Sequence, residues 1–251
     1  MKKKVILTGG LGFLGTHFAD VLINCGYDLI IIDKINPKNK IQKEIVKKSY
    51  KFLKVDITSE SNVLKAFKKL KKDQVEILIN NAAIDSIPIT YEKLNHLPNV
   101  KNWNKELSVS LTGSYLMIKN FGEQMNKRKS GKIINIGSDL SYIAPNQDLY
   151  SDVKNFLKPV TYSVIKHGLL GMTKYFSSLY AKNNVQVNML SPGPIYNNQN
   201  KLFIKKLLNF IPSKKMASRS DLTDGLLFLI KKTNSYYTGQ NLIIDGGRTI
   251  I

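Results

Sequence analysis

Tyr162 and Lys166 stand four residues apart at the start of a helical pattern. On a helix that spacing puts both side chains on one face, with Cβ atoms ~5–6 Å apart. An ammonium beside a phenol favours the phenolate and lowers its pKa from a reference of ~10. A tyrosine tuned in this way can exchange a proton with an alcohol or a ketone near neutral pH. Ser138 closes a short apolar run upstream, where its hydroxyl can orient a substrate oxygen. Each residue also has a plainer reading. The pair suits an amphipathic surface helix, and a serine after a strand is often an N-cap or turn residue.

A second group opens the chain. Thr8-Gly9-Gly10-Leu11-Gly12-Phe13-Leu14-Gly15 follows an apolar run and leads into a helical pattern. Glycines allow a tight turn and let backbone N–H groups approach a pyrophosphate, and a helix N-terminus adds partial positive charge. An ordinary strand–helix connection is the plain alternative. Asp33 ends the next apolar run, 18 residues after Gly15. A carboxylate there accepts hydrogen bonds from both adenosine ribose hydroxyls and repels a 2′-phosphate. Its plain alternative is a turn residue. Lys34 is adjacent and softens the exclusion, so the reading is NAD, with NADP as the alternative.

Elements in a definite order must position these residues. Strands are expected at Lys4–Thr8, Asp28–Asp33, Lys51–Val55, Val75–Asn80, Lys132–Gly137, Val185–Leu190 and Asn241–Ile244. Continuous apolar runs such as Leu29-Ile30-Ile31-Ile32 suit strands buried on both faces of a parallel sheet. Between the first two runs, Leu11, Leu14, Phe18, Val21, Leu22 and Cys25 mark one helical face. Val63, Leu64, Phe67 and Leu70 mark another after the cap candidates Thr58 and Ser59, and Leu169, Met172, Phe176 and Leu179 a third. Strand–helix alternation from end to end predicts an α/β fold: one doubly wound parallel β-sheet of Rossmann type, a single domain over residues 1–251. In such sheets ligands bind beyond the carboxyl ends of the strands.

The composition excludes several classes. One cysteine, Cys25, permits neither an intrachain disulfide nor a thiolate zinc site. His17, His96 and His167 are scattered, so no metal is expected. No apolar stretch approaches the ~18 residues of a membrane span. The apolar run after Lys2-Lys3-Lys4 stops too soon for a signal peptide, so a cytoplasmic protein is expected, with no membrane partner. Lysine plus arginine number 38 against 18 acids, a net charge of +20. Such a field attracts nucleic acid. Only Arg128, Arg219 and Arg248 are arginines, however, and the lysines are spread along the chain without a basic tail. A solvated lysine surface is the better reading, with no nucleic-acid partner.

With these residues in place, the chain resembles a short-chain dehydrogenase/reductase over nearly its whole length. The resemblance rests on Thr8–Gly15, on Asp56-Ile57-Thr58, on Asn80-Asn81-Ala82-Ala83, and on Ile133–Ser138. It continues through Tyr162-Ser163-Val164-Ile165-Lys166, Ser191-Pro192-Gly193, Thr238-Gly239-Gln240 and Asp245-Gly246-Gly247. It implies hydride transfer between nicotinamide and an alcohol or ketone. Tyr162 is then the proton carrier, Lys166 lowers its pKa and holds the nicotinamide ribose, and Ser138 binds the substrate oxygen. The implied cofactor residues are Thr8, Gly9, Gly12, Phe13, Leu14, Gly15, Asp33, Asp56, Ile57, Asn81, Ala82, Ala83, Tyr162, Lys166, Pro192, Gly193 and Ile195. It also implies a homotetramer, or else a homodimer, through helices near Trp103–Lys127 and Tyr162–Lys182.

Three features depart from the family pattern. The spacing Gly9, Gly12, Gly15 resembles the extended group, whereas length and Asp245-Gly246-Gly247 resemble the classical group, which is the assignment kept. Ser110 stands where the family has a catalytic asparagine that holds a water, a role serine can share. Ser138 and Tyr162 are 24 apart, about eleven more than usual for the family, with the extra residues in Ala144–Val160 (Gln147, Asp148, Tyr150 and Asp152 among them). That insertion is expected to border the substrate pocket; a neutral surface loop is the alternative.

A narrower resemblance links the insertion, Ile195-Tyr196-Asn197-Asn198-Gln199 and Lys214-Lys215-Met216-Ala217 to bacterial flagellin modification protein A. It implies a sugar or sugar-nucleotide substrate in surface-glycan biosynthesis. The segment Ile195–Ala217 reads as a substrate lid carrying Lys201, Lys205, Lys206, Lys214 and Lys215, which face either a substrate phosphate or solvent. The competing function is a non-catalytic dinucleotide-binding or redox-sensing module.

Overall fold

The computed structural model describes residues 2–84, 97–150 and 157–251. His96 and Asp152 therefore lie outside the described residues. Seven strands form one sheet: β1 (Lys4–Thr8), β2 (Asp28–Asp33), β3 (Lys51–Lys54), β4 (Ile77–Asn80), β5 (Gly131–Ile136), β6 (Val185–Pro192) and β7 (Asn241–Ile244). Their order is β3-β2-β1-β4-β5-β6-β7, and every pairing is parallel. The chain winds outward from β1 to β3, then returns to β4 on the other side of β1. This reversal opens a crevice between the carboxyl ends of β1 and β4, where doubly wound sheets bind ligands.

The helices are α1 (Phe13–Asn24), α2 (Lys40–Lys48), α3 (Glu60–Leu70), α4 (Val100–Leu107), α5 (Gly113–Met117), α6 (Glu123–Arg128), α7 (Val160–Tyr180), α8 (Lys201–Leu208) and α9 (Thr223–Ile230). α4, α5 and α6 run on as one rod through π turns at Ser108–Thr112 and Ile118–Gly122.

Period-two alternation along the strands feeds two cores. Ile6, Ile30, Ile32, Leu78 and Ile133 pack against Val63, Leu70, Phe121, Phe176 and Tyr180 from α3, the α4–α6 rod and α7. Leu7, Ile31, Ile79 and Ile134 pack on the opposite face against Phe18, Leu22, Leu226 and Leu229 from α1 and α9. The predicted strands all appear. The structure starts β4 at Ile77 rather than Val75, ends β3 at Lys54, shifts β5 by one residue, and carries β6 on to Pro192. Leu11 and Cys25 fall outside α1. Leu11 is buried within the turn before the helix, and Cys25 is exposed at the C-cap. Their spacing continued the helical period by coincidence.

A polar seam crosses the first core. Asn80 donates to Asn135 at 2.9 Å, Asn135 donates to Thr173 at 2.9 Å, and Thr173 donates to the Leu169 carbonyl at 2.8 Å. Buried side-chain bonds of this kind hold only in one register, so the seam fixes α7 along the sheet.

Candidate active site

The glycine turn is shaped by contacts inside the chain. Gly9 has φ +64°, and its N–H donates to the Ile32 carbonyl at 2.8 Å. A Cβ on Gly9 would lie 2.8 Å from the Ala82 Cα, and one on Gly15 would overlap the Gly9 carbonyl. α1 therefore starts flush against the turn. Its N-cap is Gly12, which offers no capping side chain, and its first turn holds no acid. By contrast α2, α3, α4 and α8 are capped by the side chains of Asn39, Ser59, Asn99 and Asn200. A helix start without a cap or an acid leaves its N–H groups and partial positive charge for an outside anion.

Thr8 and Asn81 close the crevice beneath this turn. Thr8 Oγ1 accepts from the N–H groups of Asn81 and Ala82 at 3.0 and 3.1 Å. The Asn81 amide donates to the carbonyls of Thr8 and Gly9, both at 3.0 Å. The side chains of Thr8 and Asn81 thus bind the turn itself.

Asp33 accepts from the Leu11 N–H at 3.0 Å and the Ile35 N–H at 3.2 Å, one on each oxygen. Each oxygen keeps a further lone pair for another donor. Lys34 does not stand open beside it: its ammonium lies 2.7 Å from Asp56. Asp56 also accepts from the N–H and hydroxyl of Thr58. Burial acts to raise the Asp56 pKa, but the hydrogen bonds from Lys34 and Thr58 outweigh it and hold the carboxyl below its ordinary value. Ile57 is buried against Gly113 of the long rod.

The groups expected to react gather past β5. Ser138 is buried and caps a short 3-10 turn: it donates to Asp139 at 2.8 Å and accepts from the Leu140 N–H at 3.2 Å. Asp139 in turn forms a buried ion pair with Arg248 from the C-terminal turn. α7 follows Pro159 and brings Tyr162 and Lys166 to this end of the sheet. Lys166 is buried and donates to the Ile136 carbonyl at 3.1 Å, two residues before Ser138. Its ammonium lies 5.5 Å from the Tyr162 ring centroid, as the i, i+4 spacing requires. Thr161, beside the tyrosine, donates to the buried Glu106 of α4. Ser110 is buried in the first π turn, and such turns recur at functional sites.

Gly193 follows β6 and packs so tightly that a Cβ would lie 2.6 Å from the Asp245 Cα. Ile195 forms a parallel bridge with Ala217, which ties the ends of the segment containing α8. That segment rests on the described part of the insertion. Leu207 and Ile211 form a small core with Leu149, and Tyr150 stacks on Phe203 at 5.2 Å. Lys201, Lys205, Lys214 and Lys215 are exposed.

Three groups at this site were not anticipated from sequence. Lys158 lays its ammonium 3.8 Å from the Tyr162 ring centroid. Its offset of four residues before the tyrosine, mirroring Lys166, was the available signal. Asp139 and Arg248 gave none, because they stand 109 residues apart.

Fold and site together define a dinucleotide-type α/β domain with a serine, a tyrosine and a lysine at the carboxyl end of its sheet. Comparison with known proteins agrees. A family model described as enoyl-(acyl carrier protein) reductase matches residues 13–249. The 3-oxoacyl-(acyl-carrier-protein) reductase FabG of Buchnera aphidicola subsp. Baizongia pistaciae is 31% identical, over 98% of this chain and 97% of its own. An NAD-dependent glycerol dehydrogenase of Listeria innocua is 30% identical, over 99% of this chain and 94% of its own. The crystal structure of a short-chain dehydrogenase from Leptospira borgpetersenii with bound NAD+ superposes with a TM-score of 0.87 at 27% identity. It covers 99% of this chain and 93% of that one. The chain belongs to the short-chain dehydrogenase/reductase family and is an oxidoreductase of that family.

Proposed function

We propose that this enzyme moves a hydride between NAD and an alcohol or ketone, with Tyr162 as the proton carrier. The observation that carries the reading is the convergence of Tyr162, buried Lys166 and buried Ser138 beyond β5. The turn Gly9–Gly15, the uncapped start of α1 and the Ala82–Ala83 backbone beside it suit the cofactor's phosphates and first ribose. Asp33 suits the second ribose. Pro192, Gly193 and Ile195 suit the nicotinamide end. When bound, the cofactor supplies the electron pair.

This chain's own residues handle the rest. Lys166 is anchored on the Ile136 carbonyl, so its charge stays beside the tyrosine. In the direction of reduction, the Tyr162 hydroxyl gives its proton to the substrate oxygen; in oxidation the phenolate takes it. Ser138 holds that oxygen, turning its hydroxyl from Asp139 to the substrate. We assign to Ser110, buried in the first π turn, the holding of a water for the proton relay through Lys166.

Asp33 with Lys34 drawn to Asp56 favours NAD over NADP, because a 2′-phosphate would meet the Asp33 carboxylate. For the substrate we favour a sugar or sugar nucleotide of surface-glycan biosynthesis. What supports this is the packing of Leu149 and Tyr150 from the insertion on Phe203 and Leu207 of Ile195–Ala217, the two segments that carry the narrower resemblance, with Ile195–Ala217 as the lid. Assembly through α4–α6 and α7 is the expected oligomer, consistent with exposed Tyr115, Tyr175 and Leu179 on those helices.

Fluorescence titration with NADH and NADPH at moderate salt is the test. Tight NADH and weak NADPH binding supports Asp33 as selector and justifies a screen of sugar substrates. Comparable NADPH binding assigns selection to Lys34 instead. Binding of neither overturns the assignment of Gly9–Gly15 and Asp33 to the cofactor.

A further inference from the structure

The segment that enters α7 is not a passive linker. The Gln147 side chain clasps the Lys158 backbone on both sides: it accepts from the Lys158 N–H at 2.9 Å and donates to the Lys158 carbonyl at 3.2 Å. This clasp uses none of the Lys158 side chain. Pro159 follows with extended backbone and starts the helix. The lysine is thus fixed one turn ahead of Tyr162, with its ammonium over the ring face at 3.8 Å from the centroid. A cation there is attracted by the ring electrons, and more strongly once the phenol loses its proton.

We propose that Lys158 is a positioning residue for proton transfer, a second ammonium that favours the phenolate of Tyr162 from the ring face while Lys166 does so from the helix below. This rests on the reading of Tyr162 as the proton carrier. Among the described residues, Glu106 of α4 accepts from Thr161, Asp139 pairs with Arg248, and Asp148 lies beside Gln147 on the insertion. The two lysines bring positive charge to the tyrosine from two directions. The insertion between Ser138 and Tyr162 acquires a chemical role: it supplies Gln147, and Gln147 places Lys158.

The test is the ionisation of Tyr162 itself, read as the difference in ultraviolet absorbance between the wild type and Tyr162→Phe across pH, with and without NAD+. The difference isolates one tyrosine among 12. Lys158→Gln should raise its midpoint by about one pH unit, while Lys158→Arg should leave it near the wild-type value. Gln147→Ala should raise it by less, because the lysine is kept but unclasped. An unchanged midpoint in Lys158→Gln overturns the proposal, and so does an equal rise in Lys158→Arg, which would mark a packing effect. Loss of the Tyr162 proton role is a separate result: Tyr162→Phe would then keep its turnover, whatever the titration shows.

Discussion

At the amino end of the sheet, Asp73 is met by Lys51 at 2.7 Å, Lys4 at 3.1 Å and the Tyr50 hydroxyl at 3.3 Å. Beside it, buried Lys132 donates to Gln186 at 2.9 Å and to the Asn234 carbonyl at 2.6 Å. Each of these side chains finds its partners within the chain. At the carboxyl end the arrangement differs. α1 begins without a cap, Asp33 keeps lone pairs, and two ammonium groups face one tyrosine. Both ends hold buried charge, but the α1 start and the Asp33 carboxylate at the carboxyl end keep bonding capacity for a guest. The contrast separates groups that hold the fold from groups that serve a ligand.

The sharpest way to break that contrast is Tyr162→Phe. Turnover should fall about a thousand-fold, the usual scale for a lost acid–base group, while cofactor affinity stays within about two-fold. Steady-state rates beside a fluorescence titration decide it. Arg248→Met comes next. It leaves the Asp139 carboxylate buried without its cation, which costs about 3–5 kcal/mol of stability. Ser138 shares that carboxylate, so turnover should drop as well, by more than the loss of folded protein explains. Asp73→Asn is the matched change at the other end. It should lower stability by about 2 kcal/mol and leave turnover of the folded enzyme unchanged. Denaturant titration of both variants, with rates on the same samples, sharpens the comparison.

Smaller effects follow from pH. Burial and the nearby Lys3 charge push Lys132 down to about 8. Its folded pKa is thus below its free value of 10.5. Between those values the unfolded chain binds more protons, so stability rises with pH across that window. The rise should be absent from Lys132→Met. Asp73 behaves in the opposite range. Burial would raise its pKa, but bonds from Lys51 and Lys4 outweigh it and hold the carboxyl below its free value of 3.8. Its contribution is present above that free value and is lost as the pH falls through the folded one. Subtracting Asp73→Asn from wild type in acid titrations should isolate this loss.

Much of this was legible in the sequence because it is local. Leu29–Ile32 announces a strand buried on both faces, and the glycine turn needs only eight consecutive residues. The pair Tyr162 and Lys166 is visible from helical period alone. Asp33 was legible as a carboxylate at the right strand end, but not its bonds to Leu11 and Ile35, which depend on how the turn closes. The Asn80–Asn135–Thr173 seam was hidden because its members come from three distant elements, and polar residues in strands carry no sign of their partner. Arg248 drew no reading beyond its place among three arginines, and only the pairing of β7 with β6 brings it to Asp139.

The bridge between Ile195 and Ala217 has a consequence for how such a protein can change. The bridge closes the base of the intervening segment, which is also held by the Ser213 N–H on the Gly246 carbonyl and by Leu149 and Tyr150, none of them in a strand, so the segment can be lengthened without disturbing strand register. Doubling a closed loop adds only ~0.6 kcal/mol of closure entropy. New specificities can therefore arise by exchange of that one segment, on a chemical platform that stays as it is.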